Sequence, residues 1–307
     1  MSNNNENDIN DLEYWRPEVE KIDEDADHGS LHLADKALSI VQEFVERQLY
    51  RNRTELLQSL AKLTNALVRA KSLMALIHYR THRLLDFIQS IEKEERDINK
   101  IKQLTLDEIK AIHKETQDKY KVMTRLGARL IMDQHIVLTH SSGSIIESIL
   151  LEAHRHKKKF RLICTESRPR FEGAELARRM AKAGIKTKLI PDADITRALH
   201  DANFAITGID RITENSIINK TGTAAIAIIS NELNKPFYVV GETTKILLKR
   251  TYPARFSSTH ETEIQAKSAK NLTVQNIYFE EIPLSYVKKI VCEEGIFETE
   301  DFMERFL

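Results

Sequence analysis

The stretch HIVLTHSSGSIIESIL, residues 135–150, decides the fold. Three apolar residues, Ile136, Val137 and Leu138, run into Thr139 and His140. A small polar cluster follows, Ser141, Ser142, Gly143 and Ser144, and apolar residues then recur at helical spacing. Strand, small-residue turn, helix: α/β proteins hold phosphate in such a place, on the free N–H groups and dipole of the helix start. Ser141 stands at the mouth of the turn, either as a reacting group or as a pocket wall.

Downstream the same rhythm repeats. Short β-like runs fall at 136–139, 161–164, 187–190, 204–207, 238–240 and 274–279. Helical segments lie between them at 144–156, 173–183, 195–202 and 223–233. Strands alternating with helices across short loops predict a parallel sheet covered by helices. LSYVKKIVCEEG reads as one more helix, stopped at Gly295.

Upstream, residues 31–118 read as a helical domain. Ala34, Ala37, Leu38, Val41 and Phe44 mark one helix face; Leu57, Leu60, Leu63 and Leu67 mark the next. Thr54 reads as an N-cap, and Thr105 with Glu108 as a capping box opening a further helix. No glycine occurs between Gly29 and Gly127, and no proline between Pro17 and Pro169. Residues 1–30 carry ten acids and two bases, which predicts a disordered, solvated leader with Trp15 as its one candidate anchor. Residues 119–307 form the α/β part.

The composition narrows the function. Ten acids and two bases in the leader leave 44 bases against 36 acids elsewhere, a surplus of eight too diffuse to argue direct nucleic-acid binding. No apolar run approaches the roughly 20 residues of a membrane helix, and MSNNNENDIN lacks a secretory pattern. Cys164 and Cys292 are far apart and in no metal spacing, which suits a reducing cytoplasm. His78 and His82 share a helix face, but no third metal ligand is evident. No Walker motif and no dinucleotide glycine fingerprint follows a strand. Neither a metal nor a cofactor is expected.

What looks chemical gathers at the ends of the strands, where such sheets bind ligands. Ser141 and Ser142 follow the first. Arg168 and Arg170 follow the second and offer forked donors for phosphate, unless they pair with Glu166 and Glu172 at the surface. Asp210 follows the fourth as an isolated carboxylate suited to acid/base work. Asn219, Lys220, Gly222 and Thr223 come next, and Lys245 after the fifth. Gly222 and Thr223 open a helix, so their N–H groups can face an anion. The residues alone support a site for a phosphorylated small molecule.

These segments, in this order, resemble one family. TESRPRFEGAELARRM (165–180), GIDRITENSIINKTGT (208–223), KPFYVVGETTK (235–245) and, more loosely, VRAKSLMAL (68–76) are similar to blocks of the alpha, beta and delta subunits of translation initiation factor 2B. The family's archaeal and bacterial relatives include the isomerases of ribose 1,5-bisphosphate and methylthioribose 1-phosphate. The resemblance covers residues 120–300 well, 31–119 more weakly and 1–30 not at all. It implies a helical domain on a Rossmann-like domain, and a homodimer through the C-terminal domain, with a hexamer as the larger form. It also implies a translation factor as a partner.

In the isomerases a cysteine follows Thr-His, and an aspartate in the later block completes an acid/base pair. Here the aspartate matches as Asp210, while the cysteine position holds Ser141. A hydroxyl is a far weaker acid than a thiol, whose ordinary pKa is about 8.5. VRAKSLMAL also lacks the proline and glycine of its relatives. Three readings follow: a regulatory binder of a sugar phosphate or nucleotide monophosphate, a phosphopentose isomerase with altered acid/base residues, and a scaffold subunit with a vestigial pocket. The first is preferred, because the chain keeps Asp210, Asn219, Lys220 and both arginines but lacks the thiol.

Overall fold

In the computed structural model, residues 13–25, 28–47, 50–256, 258, 260–267 and 269–307 are described. The chain divides into two compact units, Met1–Asp118 and Lys119–Leu307.

The first unit is helical: α1 (Arg16–Glu24), α2 (Ser30–Arg47), α3 (Arg53–Ala70), α4 (Ala75–Glu92) and the first part of α5 (Ile98–Leu130). Helix α1 lies inside the leader for which composition predicts disorder. Trp15, Val19 and Ile22, spaced four and three apart, form an apolar stripe in an acidic segment, and all three are buried. Pro17 sits in the first turn, where no backbone hydrogen bond is lost. Two caps differ from the sequence reading. The side chain of Asn52, not Thr54, accepts from Glu55 N at 3.0 Å. Thr105 lies inside α5, its hydroxyl donating to the Ile101 carbonyl at 2.8 Å. Thr-x-x-Glu is a cap only where the chain ahead of it is not already helical.

The second unit is α/β. A seven-stranded sheet has the order β10-β9-β7-β4-β1-β2-β3. Its strands are β1 (Ile136–Thr139), β2 (Arg161–Thr165), β3 (Lys186–Ile190), β4 (Phe204–Gly208), β7 (Phe237–Val240), β9 (Lys289–Cys292) and β10 (Gly295–Glu298). All neighbours pair in parallel except β9 with β10. Helices α6 (Ser144–Arg155), α7 (Glu172–Lys182), α8 (Ile195–Asp201), α9 (Thr223–Glu232) and α10 (Thr299–Phe306) complete this layer. The architecture is α/β, a helical region followed by a Rossmann-like parallel sheet. A smaller antiparallel sheet joins β5 (Arg211–Ile212), β6 (Ser216–Lys220) and β8 (Phe279–Pro283).

The C-terminal helix read from LSYVKKIVCEEG is instead strand β9, turning into β10 at Gly295. Ile290, Val291 and Cys292 are all fully buried because β9 lies between β7 and β10 with both faces covered. The run at 274–279 forms a strand only from Phe279 onward, in the small sheet. Among the described residues no helix is long and apolar enough to cross a membrane.

The order of the large sheet locates the site. From β1 the chain steps outward through β2 and β3 on one side, then returns to β4, β7 and β9 on the other. The crevice of such a sheet lies beyond the carboxyl ends of the two central strands, here β1 and β4.

Candidate functional site

Strand β1 ends in His140 and Ser141 at this crevice. His140 is buried and tightly held. Its Nε2 lies 2.8 Å from the Thr221 carbonyl, which can only accept, so Nε2 carries the proton. Nδ1 then accepts from the Thr165 hydroxyl at 2.6 Å. Burial pushes the imidazole below its ordinary pKa of 6.5, against the opposing pull of the Thr221 bond. The ring also fixes the turn into α9: a Cβ on Gly222, at φ 108°, would lie 2.7 Å from it.

Ser141 adopts the left-handed conformation, φ 64°. Its N–H donates to Ser167 Oγ at 2.7 Å, and its hydroxyl reaches Glu172 Oε1 only at 3.4 Å. The turn after β2 carries a cis Arg168–Pro169 bond, with Ser167 and Phe171 also left-handed. Asp192 secures this turn, accepting from the backbone N–H of Ser167 at 2.8 Å and of Arg168 at 2.7 Å.

Lys220, at the end of β6, is buried and pairs with Glu172 Oε1 at 2.7 Å. Its ammonium also stands 4.8 Å from the centre of the Tyr278 ring. Arg170 Nε donates to the Tyr278 hydroxyl at 3.1 Å, and Arg170 Nη2 pairs with Glu263 at 2.5 Å. Tyr278 in turn donates to the other Glu263 oxygen. The structure thus joins Ser141, Lys220 and Arg170 through Glu172 and Tyr278. It also joins Asn219 to Thr223, Nδ2 to Oγ1, at 3.1 Å.

Asp210 N donates to the Ile218 carbonyl at 3.0 Å, which sets Asp210 beside β6. Lys245 Nζ donates to the carbonyl of Ile209, the preceding residue. Two sequence candidates are engaged elsewhere. Arg168 is exposed and stands over the Phe171 ring at 4.9 Å. The Ser142 hydroxyl accepts from Arg179 at 2.9 Å, an arginine also held by Glu147. Where the sequence offers Glu172 as a surface partner for Arg168 or Arg170, Glu172 pairs with Lys220, and Arg170 pairs with Glu263.

One feature differs from the sequence reading. The N–H groups at the start of α9, which that reading offers to a phosphate, already hold a carboxylate. Glu280 Oε1 accepts from Gly222 N and Ala224 N, each at 2.7 Å. Sequence reasoning missed Glu280, Tyr278 and Glu263 as members of the site. The signal for Glu280 and Tyr278 is the β6–β8 register, which sets Asn219 opposite Glu280 and Lys220 opposite Phe279, next to Tyr278; Glu263 has no such signal.

Neither cysteine substitutes for a thiol at Ser141. Both are buried, and burial pushes Cys164 up to about 12 and Cys292 up to about 11.

Residues 26–299 match the initiation factor 2 subunit family. The chain belongs to this family. A Pyrococcus horikoshii protein, named as resembling subunit 2 of translation initiation factor eIF-2B, is 35% identical over 175 residues, 57% of this chain and 62% of that one. The match therefore spans under two thirds of that relative. The ribose 1,5-bisphosphate isomerase of Methanocaldococcus jannaschii is 24% identical over 293 residues, 94% of this chain and 92% of the relative. A crystal structure of Pyrococcus horikoshii translation initiation factor eIF-2B superposes with a TM-score of 0.78 at 26% identity, covering 95% of this chain and 99% of that one. The family thus contains proteins named for translation initiation and proteins named as isomerases.

The Glu263 carboxylate is sensitive to acid. Burial raises its pKa, but hydrogen bonds from Tyr278 and Arg170 and the charge of Arg170 outweigh this and hold it below the ordinary 4.5. A carboxylate with a lowered folded pKa stabilises the fold above its unfolded value, and that stability fades as pH falls through the folded value. Between neutral pH and pH below 4.5, the wild type is expected to lose about 1 kcal/mol more than Glu263→Gln. Urea titrations of both proteins across that range check it; parallel profiles would contradict the pairing.

Proposed function

We propose that the chain is a regulatory member of its family that binds a sugar phosphate or nucleotide monophosphate at the carboxyl ends of β1 and β4, without isomerase turnover. One observation carries the anion-binding part. Lys220, Arg170 and the first N–H groups of α9 each already hold a carboxylate oxygen at hydrogen-bonding distance. Donors arranged to hold carboxylate oxygens suit phosphate oxygens equally well. The ligand phosphate is assigned to Lys220, Gly222 and Thr223, with Arg168, Arg170 and Lys245 as further electrostatic partners. Asp210 and Asn219 are assigned to sugar hydroxyls.

The loss of turnover rests on Ser141. An alcohol needs an activating base to act as nucleophile or proton carrier. Both His140 ring nitrogens are engaged elsewhere, and Glu172 is neutralised by Lys220. Isomerisation is the second reading. It is supported by Asp210 at the end of β4 and by the near full-length match to the Methanocaldococcus isomerase.

A thermal-shift panel of sugar phosphates and nucleotide monophosphates tests the binding. A ligand at a hundred-fold excess over its dissociation constant adds about 2.7 kcal/mol of stability, and at least one compound is expected to raise the melting temperature. A silent panel would favour the scaffold reading. For turnover, the protein is mixed with ribose 1,5-bisphosphate or methylthioribose 1-phosphate and the ketose sought by NMR. Turnover lost in Asp210→Asn would establish the isomerase instead. Activity created by Ser141→Cys would show that the thiol alone is missing.

Family membership also supports a cytoplasmic homodimer through residues 119–307, with the hexamer and a translation-factor complex as larger forms. Light scattering of the purified chain reads the first of these.

A further inference from the structure

The Glu263 carboxylate comes from a segment with little else to hold it. Residues 260–267 are half-buried or exposed throughout, and Ile264 is one of the large apolar side chains left in solvent. Their anchorage is polar. Glu263 accepts from Arg170, from Tyr278 and from Asn276 Nδ2 at 3.3 Å, and the His260 carbonyl accepts from the same Asn276 amide at 3.1 Å. Two of these partners belong to the site itself. Arg170 is one of its cations, and Tyr278 lies against Lys220.

We propose that Glu263 is an internal competitor for the ligand anion: it occupies Arg170 in the free protein, and an arriving phosphate takes that position and releases residues 260–267. The inference rests on the binding function proposed above and adds its regulation. A guanidinium offers a planar fork to one oxyanion at a time with best geometry, and phosphate fits that fork as well as a carboxylate does. Displacing Glu263 also removes the acceptor of the Tyr278 hydroxyl, so two of the segment's anchors go together. With so little apolar surface buried beneath it, the segment is then held at its start, where Asn276 donates to the His260 carbonyl and the Ser258 hydroxyl to Glu261, and residues 262–267 lose their polar anchor. Ligand binding would thereby change what residues 260–267 present to solvent, and a partner could read that change.

Trypsin, with the cut sites read by mass spectrometry, tests this on the full chain. Lys267 is the last residue of the anchored segment and Lys270 follows it closely. Inorganic phosphate, compared with chloride at equal ionic strength, is expected to speed cleavage at these two lysines about five-fold or more. Glu263→Gln is expected to be cut at the faster rate without phosphate, to gain little more when phosphate is added, and to bind phosphate several-fold more tightly. Tyr278→Phe, which leaves the Arg170 pair in place, should fall between and serves if the first variant does not fold. Phosphate that raises the melting temperature but leaves cleavage unchanged overturns the release and leaves the binding function standing. Glu263→Gln cut at the wild-type rate overturns the anchorage. If phosphate has no effect on either readout while the variant is cut faster, the segment is a fixed strap, and both gating and phosphate binding fall.

Discussion

Gly173→Ala is expected to destabilise the Lys119–Leu307 unit by about 3 kcal/mol or more, lowering its melting temperature by about 6–12 °C. Gly173 sits in the first turn of α7, against the end of β2. An added Cβ would lie 2.1 Å from the Thr165 carbonyl oxygen and 2.6 Å from Ser167 Oγ. The first of these atoms is backbone, so no rotamer change relieves the contact. Either α7 moves out or β2 bends. Both movements break the set in which Thr165 holds His140 and Ser167 holds Ser141. The variant should therefore lose any ligand-induced shift as well as stability. Gly208→Ala is the control, because its Cβ would meet only Ile145, at 4.0 Å. A Gly173→Ala protein within about 1 kcal/mol of wild type would mean that α7 is free to shift.

The sequence makes some of this site readable and hides the rest for identifiable reasons. HIVLTHSSGS is legible because a short apolar run and a small-residue turn have few other uses. Thr105 misleads because a capping box is only a four-residue pattern, and the same residues fit inside a long helix. The residues of β9 mislead because a strand buried on both faces has no alternation; Ile290, Val291 and Cys292 read as well as a helix. Glu263 and Glu280 are hidden more deeply. Each binds a group tens of residues away, and only the pairing of β8 with β6 brings Tyr278 and Glu280 beside Lys220. Local pattern finds the cations of this site and Glu172; Glu263 and Glu280 reach it only through contacts distant in sequence.

Arg211→Ala is expected to cost about 3 kcal/mol and to free the segment that carries Lys245. Arg211 neighbours Asp210 and is fully buried. Its Nε donates to the Leu247 carbonyl at 2.6 Å and its Nη2 to the Tyr252 carbonyl, while Nη1 is buried without a hydrogen-bond partner among the described residues. Burial pushes its pKa down, against the opposing charges of Glu214, Tyr252 and Glu281. The guanidinium thus acts as a clamp on two backbone carbonyls. Truncation takes the guanidinium donor from both, a loss of about 1–3 kcal/mol for a buried group. Lysine presents one donor centre in place of the guanidinium's planar fork, so Arg211→Lys should recover little. Arg211→Met separates packing from clamping. It fills much of the side chain's volume but donates to neither carbonyl. The methionine protein is expected to recover the packing part of the loss but not the part due to the two carbonyls, so it should melt between the alanine variant and wild type, and its amides at 247–252 should exchange faster with deuterium. Its response to ligand should also weaken, because Lys245 lies two residues before Leu247. Exchange at 247–252 that stays at the wild-type rate in Arg211→Met would show that the β5–Leu247 backbone bond, from Leu247 N to the Ile212 carbonyl at 2.9 Å, holds the segment alone.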